Sequence, residues 1–219
     1  MTSEHLATAY QAWDRNWTTE EERVRWLAPD PMVQNLVPLL RARRFTRVLD
    51  VGCGVGRHAQ YLGAEGFTCV GLDASESGLE YARAQAQRSG LSIDYRVGRF
   101  YELDFPEHSF DALIAWNVIY HGDRDIARRA ADEFARVLVP GGLYVGTMLS
   151  KRNAGYGVGR EVRPDTFVVD DATNDHIHPH LYVNSRDLLE LHRGFEVLQL
   201  DDVEQAPGHH HWQFILERT

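Results

Sequence analysis

The stretch VLDVGCGVG, residues 48–56, decides the fold. An apolar run ends at Asp50 and Val51, glycines follow at 52, 54 and 56, and a helix-compatible stretch begins at Arg57. Glycines at such a turn let backbone approach a ligand closely, and the helix start beyond them offers unpaired amides. The spacing is GxGxG; a dinucleotide fingerprint needs GxGxxG, and Arg57 occupies the place of its third glycine. Asp50 would repel a pyrophosphate and attract an ammonium. Asp73 closes the next apolar run, where a carboxylate can accept both hydroxyls of a ribose. Together the two acids point to a nucleoside with a cationic tail.

Outward from this turn the pattern alternates. Strands are expected at 47–51, 67–73, 91–97, 110–116 and 143–149, and helices at 57–65, 75–89 and 123–138, with Ser75 as the N-cap of the second helix. Apolar strands separated by helices of about a dozen residues predict an α/β doubly wound sheet, mostly parallel, with helices on both faces. Ligands bind such sheets at the carboxyl ends of the strands, where the strand order reverses. Residues 185–192 read as a further helix, and 195–200 and 211–217 as a closing antiparallel hairpin, because the segment between them is short for a crossover helix.

Two segments fall outside the alternation. Residues 1–45 read as polar, aromatic-bearing helices, the second starting near Pro31, with Tyr10, Trp13 and Trp17 on one helical face. That face either packs on the sheet or closes over a site as a lid. Residues 150–184 hold few aliphatic side chains, a flexible GYGVG loop, and clustered Asp and His. Seven of the 11 histidines lie between 176 and 211. In an extended chain His176, His178 and His180 share a face, as do His209 and His211, with Tyr182 nearby. Three readings compete: a polar substrate cage, a metal site, and a solvated loop. The cage is favoured and no metal is expected, because extended pairs lack helical i, i+4 spacing and no cysteine assists.

Composition limits the partners. A net charge of -9, from 32 Asp+Glu against 23 Lys+Arg, argues against nucleic acid as the main partner. The most apolar run, 112–120, is too short to span a membrane, the start lacks a secretory pattern, and Cys53 and Cys69 could form at most one bridge. A single cytoplasmic domain over 1–219, monomeric or homodimeric, is the expectation.

In combination, VLDVGCGVG at 48–56, GLDAS at 71–75, FPEHSFDALIAWNVIYH at 105–121 and RVLVPGGLYVGT at 136–147 resemble the class I S-adenosylmethionine-dependent methyltransferases, in the broad group that includes tellurite-resistance methyltransferases. The resemblance covers residues 46–150, the expected cofactor-binding core. It implies a Rossmann-like seven-stranded sheet whose last strand is antiparallel, completed here by residues 185–219. It implies S-adenosyl-L-methionine as cofactor and S-adenosyl-L-homocysteine as product, with a small-molecule methyl acceptor bearing a nitrogen, oxygen, sulfur or chalcogen nucleophile. Gly52, Gly54 and Gly56 would shape the turn around the methionyl group, with Asp50 near its ammonium. Asp73 would hold the ribose, and Ala74 would pack beside the adenine. Many relatives carry Gly-Asp after the third strand; this chain has Gly98-Arg99-Phe100, which leaves Phe100 to hold the ring. Backbone carbonyls near Asn117 would receive the ammonium, and Tyr120 and His121 would face the acceptor. His121 is then a base, an orienting donor, or a helix cap. Trp13, Trp17 and the histidine segments are the candidate acceptor wall. A cofactor-binding protein without turnover and a nucleotide-dependent oxidoreductase are the alternatives, the latter disfavoured by Asp50 and the missing glycine.

Overall fold

Strand β1 (Arg47–Val51) is buried from Val48 onward and lies at the centre of the sheet in the computed structural model, which describes residues 6–170 and 177–219. Four more strands run parallel to it: β2 (Thr68–Asp73), β3 (Asp94–Val97), β4 (Phe110–Ala115) and β5 (Leu138–Ser150). Their order is β3-β2-β1-β4-β5. Strand order reverses between β1 and β4, so a crevice opens at their carboxyl ends.

Before β1 come four short helices, α1 (Ala9–Asn16), α2 (Glu20–Val24), α3 (Pro31–Asn35) and α4 (Val37–Ala42). The crossovers are α5 (Arg57–Ala64), α6 (Glu76–Arg88) and α7 (Arg124–Val137). Ser75 caps α6 by accepting from the Gly78 amide, and Asp123 caps α7 by accepting from that of Ile126. One face of the sheet buries Ile126, Phe134 and Leu188, the other Leu40, Leu62 and Leu79, so helices cover both faces.

After β5 the chain forms β6 (Arg160–Arg163), β7 (Thr166–Val168) and β8 (His180–Val183), then α8 (Ser185–Leu191), β9 (Phe195–Ala206) and β10 (His209–Arg218). β10 runs antiparallel to both β5 and β9. Seven strands, β3-β2-β1-β4-β5-β10-β9, thus match the expected sheet with one reversed strand. The sheet nevertheless has ten strands, and the correction comes from the insert. β6 and β7 form a hairpin, β7 pairs antiparallel with β8, and β8 joins the end of β5 in parallel at Leu149–Tyr182 and Ser150–Val183. Gly157 and Gly159 adopt positive φ, and the backbone of Gly159 abuts Val168, so the glycines read as flexible loop lead into this hairpin. Among the described residues no helix is long and apolar enough to cross a membrane.

The core between α7 and the sheet is aromatic. Tyr144 meets Phe134 at 5.0 Å and Phe214 at 5.2 Å between ring centres, and His192 packs against the same group, 5.3 Å from Phe214. Burial pushes the His192 imidazole down to about 4, so it is neutral in the fold and its Nδ1–H donates to the Leu188 carbonyl. The unfolded chain takes up this proton first as pH falls, so stability held above pH ~6.5 is lost on the way to about 4, on the order of 3 kcal/mol from this group. We therefore expect His192→Phe to flatten the fall in Tm between those pH values relative to the parent protein, as followed by calorimetry.

Candidate functional site

The crevice is lined first by the turn after β1. Gly52 and Gly54 have φ of 67° and 52°, which side chains rarely tolerate, and a Cβ on Gly54 would lie 2.9 Å from the Trp17 ring. Asp73, at the end of β2, holds this turn: its carboxylate accepts from the Gly54 amide at 2.7 Å and from the Ser75 amide at 2.8 Å. The same residue therefore fixes both the glycine turn and the start of α6.

Asp50 lies behind the turn. It is 2% exposed and accepts from the Ala59 amide at 3.1 Å, and burial pushes its carboxyl up to about 7. His58 Nδ1 lies 3.9 Å from it, while Nε2 accepts from the Asp30 amide, which puts the ring proton on the Asp50 side. Burial and the adjacent Arg57 guanidinium hold His58 well below its ordinary value, so it is neutral.

A cavity of about 130 Å³ occupies the crevice. Gly52, Gly54, Asp73, Ala74, Phe100 and Asn117, all expected at the cofactor, line it; Asp50 and Gly56 do not. Asn117 has φ of 59°, and the Thr147 hydroxyl clamps it, donating to its side-chain oxygen at 3.0 Å and accepting from its amide at 2.8 Å. Tyr120 and His121 also line the cavity. The N-terminal segment closes it from above. Trp13 stacks on Trp17 at 5.0 Å and meets Trp26 edge-on at 5.4 Å. Asp14 accepts from the Ser75 hydroxyl at 2.8 Å and the Ser77 amide at 3.0 Å, which anchors α1 on the start of α6. Arg99 stands over the Tyr10 ring at 4.5 Å, which ties the segment after β3 to α1.

A second cavity, of about 560 Å³, adjoins the first across Trp13, Trp26, Asn117 and Tyr120. Of the expected acceptor residues, Trp13, His180, His209 and His211 line it, while Trp17 lines the first cavity alone. His176 lies outside the described residues. His178 and Tyr182 line neither cavity. Tyr182 is a correction: it is fully buried and packs against Tyr156 and Phe167, because β8 is an interior strand here and not an exposed segment. His178 is buried too, with Nε2 3.1 Å from His121 Nδ1, and its ring stacks on His180 at 4.7 Å. The shared face thus exists for 178 and 180, and the side chain that meets it, His121, comes from the turn after β4.

Residue patterns miss several wall members. Trp26 and Arg57 stack at 5.1 Å and join the N-terminal segment to α5; the usable signal was three of five tryptophans within the first 26 residues. Arg15 and Arg25, in the second cavity, carry no sequence signal beyond charge.

Trp17 is 7% exposed and should cost about 3–5 kcal/mol of stability when cut to alanine. Trp13→Ala, at a half-buried position shared by both cavities, is expected to weaken ligand binding with a smaller fall in Tm, as read by paired calorimetry and thermal melts.

Comparison with known proteins agrees with this geometry. Residues 48–142 match the family model described as a methyltransferase domain. The ubiquinone biosynthesis O-methyltransferase of Paramagnetospirillum magneticum is 34% identical over 113 residues, 52% of this chain and 44% of that protein. That of Brucella anthropi is likewise 34% identical, over 51% and 44%. The match therefore spans less than half the length of these curated relatives. In fold, the chain resembles the 1,6-didemethyltoxoflavin-N1-methyltransferase of Burkholderia thailandensis, with TM-score 0.75 at 20% identity over 100% of this chain and 91% of that one. It also resembles TehB from Haemophilus influenzae, with TM-score 0.63 at 14% identity over 85% and 62%. Residues 48–142 thus carry the methyltransferase-domain pattern, and the chain has the fold of S-adenosylmethionine-dependent methyltransferases, with the glycine turn, the acid that pins it and the reversed β10 in place.

Proposed function

We propose that this protein transfers the methyl group of S-adenosylmethionine to a small-molecule acceptor by direct displacement. The observation that carries this reading is the pair of cavities joined at Trp13, Asn117 and Tyr120, one built at the glycine turn and one beneath the insert. A nucleophile in the second cavity attacks the methyl carbon, the carbon–sulfur bond breaks, and S-adenosylhomocysteine leaves. Such a reaction needs alignment and exclusion of water more than a catalytic apparatus. On this reading residues 1–45 form the lid and 150–184 the acceptor cap.

Each group has a role. Asp73 holds the ribose, Ala74 and Phe100 flank the adenine, and the Asn117 turn offers carbonyls to the ammonium. Asp50, behind the turn, acts on that ammonium through the backbone it braces. Tyr120 and His121 meet the acceptor, and His121 either takes its proton or orients it. The matched relatives being O-methyltransferases makes an oxygen nucleophile the first acceptor to test, ahead of nitrogen, sulfur and chalcogen.

An acceptor screen over phenols, amines, thiols and chalcogen oxyanions, read by S-adenosylhomocysteine release, is expected to find turnover. Cofactor binding with no release for any acceptor would instead support a non-catalytic binding protein. Asp73→Ala should weaken S-adenosylmethionine by about tenfold or more in calorimetry, since hydrogen bonds to a charged group contribute about 1.5–3 kcal/mol. His121→Gln should lower kcat while cofactor affinity holds; unchanged turnover across the pH range would remove it from the mechanism.

A further inference from the structure

Three buried imidazoles converge where the two cavities meet. His121, His178 and His180 are 4%, 3% and 2% exposed, and one ring nitrogen of each lies within 4.8 Å of the other two. Backbone pairing brings them together. The Leu181 amide donates to the Tyr120 carbonyl at 2.9 Å, the Gly122 amide to the Pro179 carbonyl at 3.1 Å, and His121 and His180 form an antiparallel bridge. The turn after β4 and the entry to β8 therefore act as one short ribbon, with the imidazoles held by main chain.

The nitrogen geometry suits a cation. With metal–nitrogen bonds of about 2.0–2.1 Å, tetrahedral ligands stand roughly 3.3 Å apart. His178 Nε2 and His121 Nδ1 are 3.1 Å apart. His180 Nδ1 donates to the His178 carbonyl at 2.9 Å, a main-chain hydrogen bond of the kind that orients metal-bound histidine. Extended spacing within 176–180 argued against a metal from sequence, but two residues of one strand face supply only two ligands, and the third arrives from residue 121.

We propose that His121, His178 and His180 bind one divalent first-row transition-metal ion, zinc being the reference case, with an open position toward the acceptor cavity. Three neutral nitrogens without carboxylate select zinc, cobalt or nickel over magnesium and calcium. His121 lines the cofactor cavity and His180 the acceptor cavity, so the open position lies between them. Its use rests on the methyl-transfer reading: an acceptor oxygen or sulfur placed there sheds its proton more readily, and His121 then orients through the metal rather than taking the proton. Metal binding itself stands apart from that reading.

The test uses the full chain, stripped with chelator and titrated with cobalt(II) alone. Visible bands of nitrogen-ligated, four- or five-coordinate cobalt should saturate at one equivalent and vanish on adding zinc. His178→Gln and His180→Gln, checked for folding by circular dichroism, should each weaken binding by more than the roughly 100-fold that an outer-sphere change costs. His210→Gln should leave the bands intact, which excludes the nearby His210, Asp202 and Glu204 group. Azide should shift the bands of the parent protein by entering the open position. Absent bands in the parent, bands kept in His178→Gln, or bands lost in His210→Gln would overturn the site. Bands indifferent to azide would overturn the open position. Because no step of this test requires turnover, failure of the acceptor screen leaves its outcome readable.

Discussion

Strand β4 stops at Ala115, opposite Gly146, while β5 continues to Ser150. Those last residues of β5 are buried, and a buried backbone edge must be paired. β10 pairs one edge, His211 against Leu149, and β8 takes the other, Tyr182 against the same Leu149. The edge that β4 leaves is thus filled by the insert, directly beyond the carboxyl end of β4. Three features follow from that pairing: the place of the insert beside the crevice, the burial of Tyr182, and the meeting of His178 and His180 with His121.

The cofactor side is organised by carboxylates serving the backbone. Asp73 ties the glycine turn to α6, Asp50 braces the start of α5, and Asp14 locks α1 to the same end of α6. Each satisfies amides that loops and helix starts leave open, so three acids set the shape of one wall. The N-terminal segment adds aromatic and cationic stacking, Trp13 on Trp17, Arg57 on Trp26 and Arg99 on Tyr10. A wall of this kind suits a sulfonium-bearing ligand, because ring faces attract positive charge.

Much of the cofactor half was legible because its signals are local. GxGxG after an apolar run, an acid at the end of the next one, and Ser75 before a helical period each depend on neighbours in sequence. The strand at 143–149 was also legible, though it begins earlier, at Leu138, with an irregularity in its pairing with β4 across Pro140-Gly141-Gly142. The insert was not. Its strands β6 and β7 are four and three residues long and carry little alternation, so their pairing is set by the partner strand and by the glycines that lead into them.

The sequence by itself determined a doubly wound sheet, its ligand-binding turn, the residues at that turn, and the antiparallel ending. These are consequences of hydrophobic period and of glycine and acid placement, which act over a few residues. Tertiary structure alone decided that Asp50 would be a brace behind the wall, that Arg99 would stack on Tyr10 of α1, and that His121 would complete a group begun by His178 and His180. The first two depend on loops and helix starts that meet only in the fold, and the third on the backbone edge left open at the end of β4, which is a property of the assembled sheet.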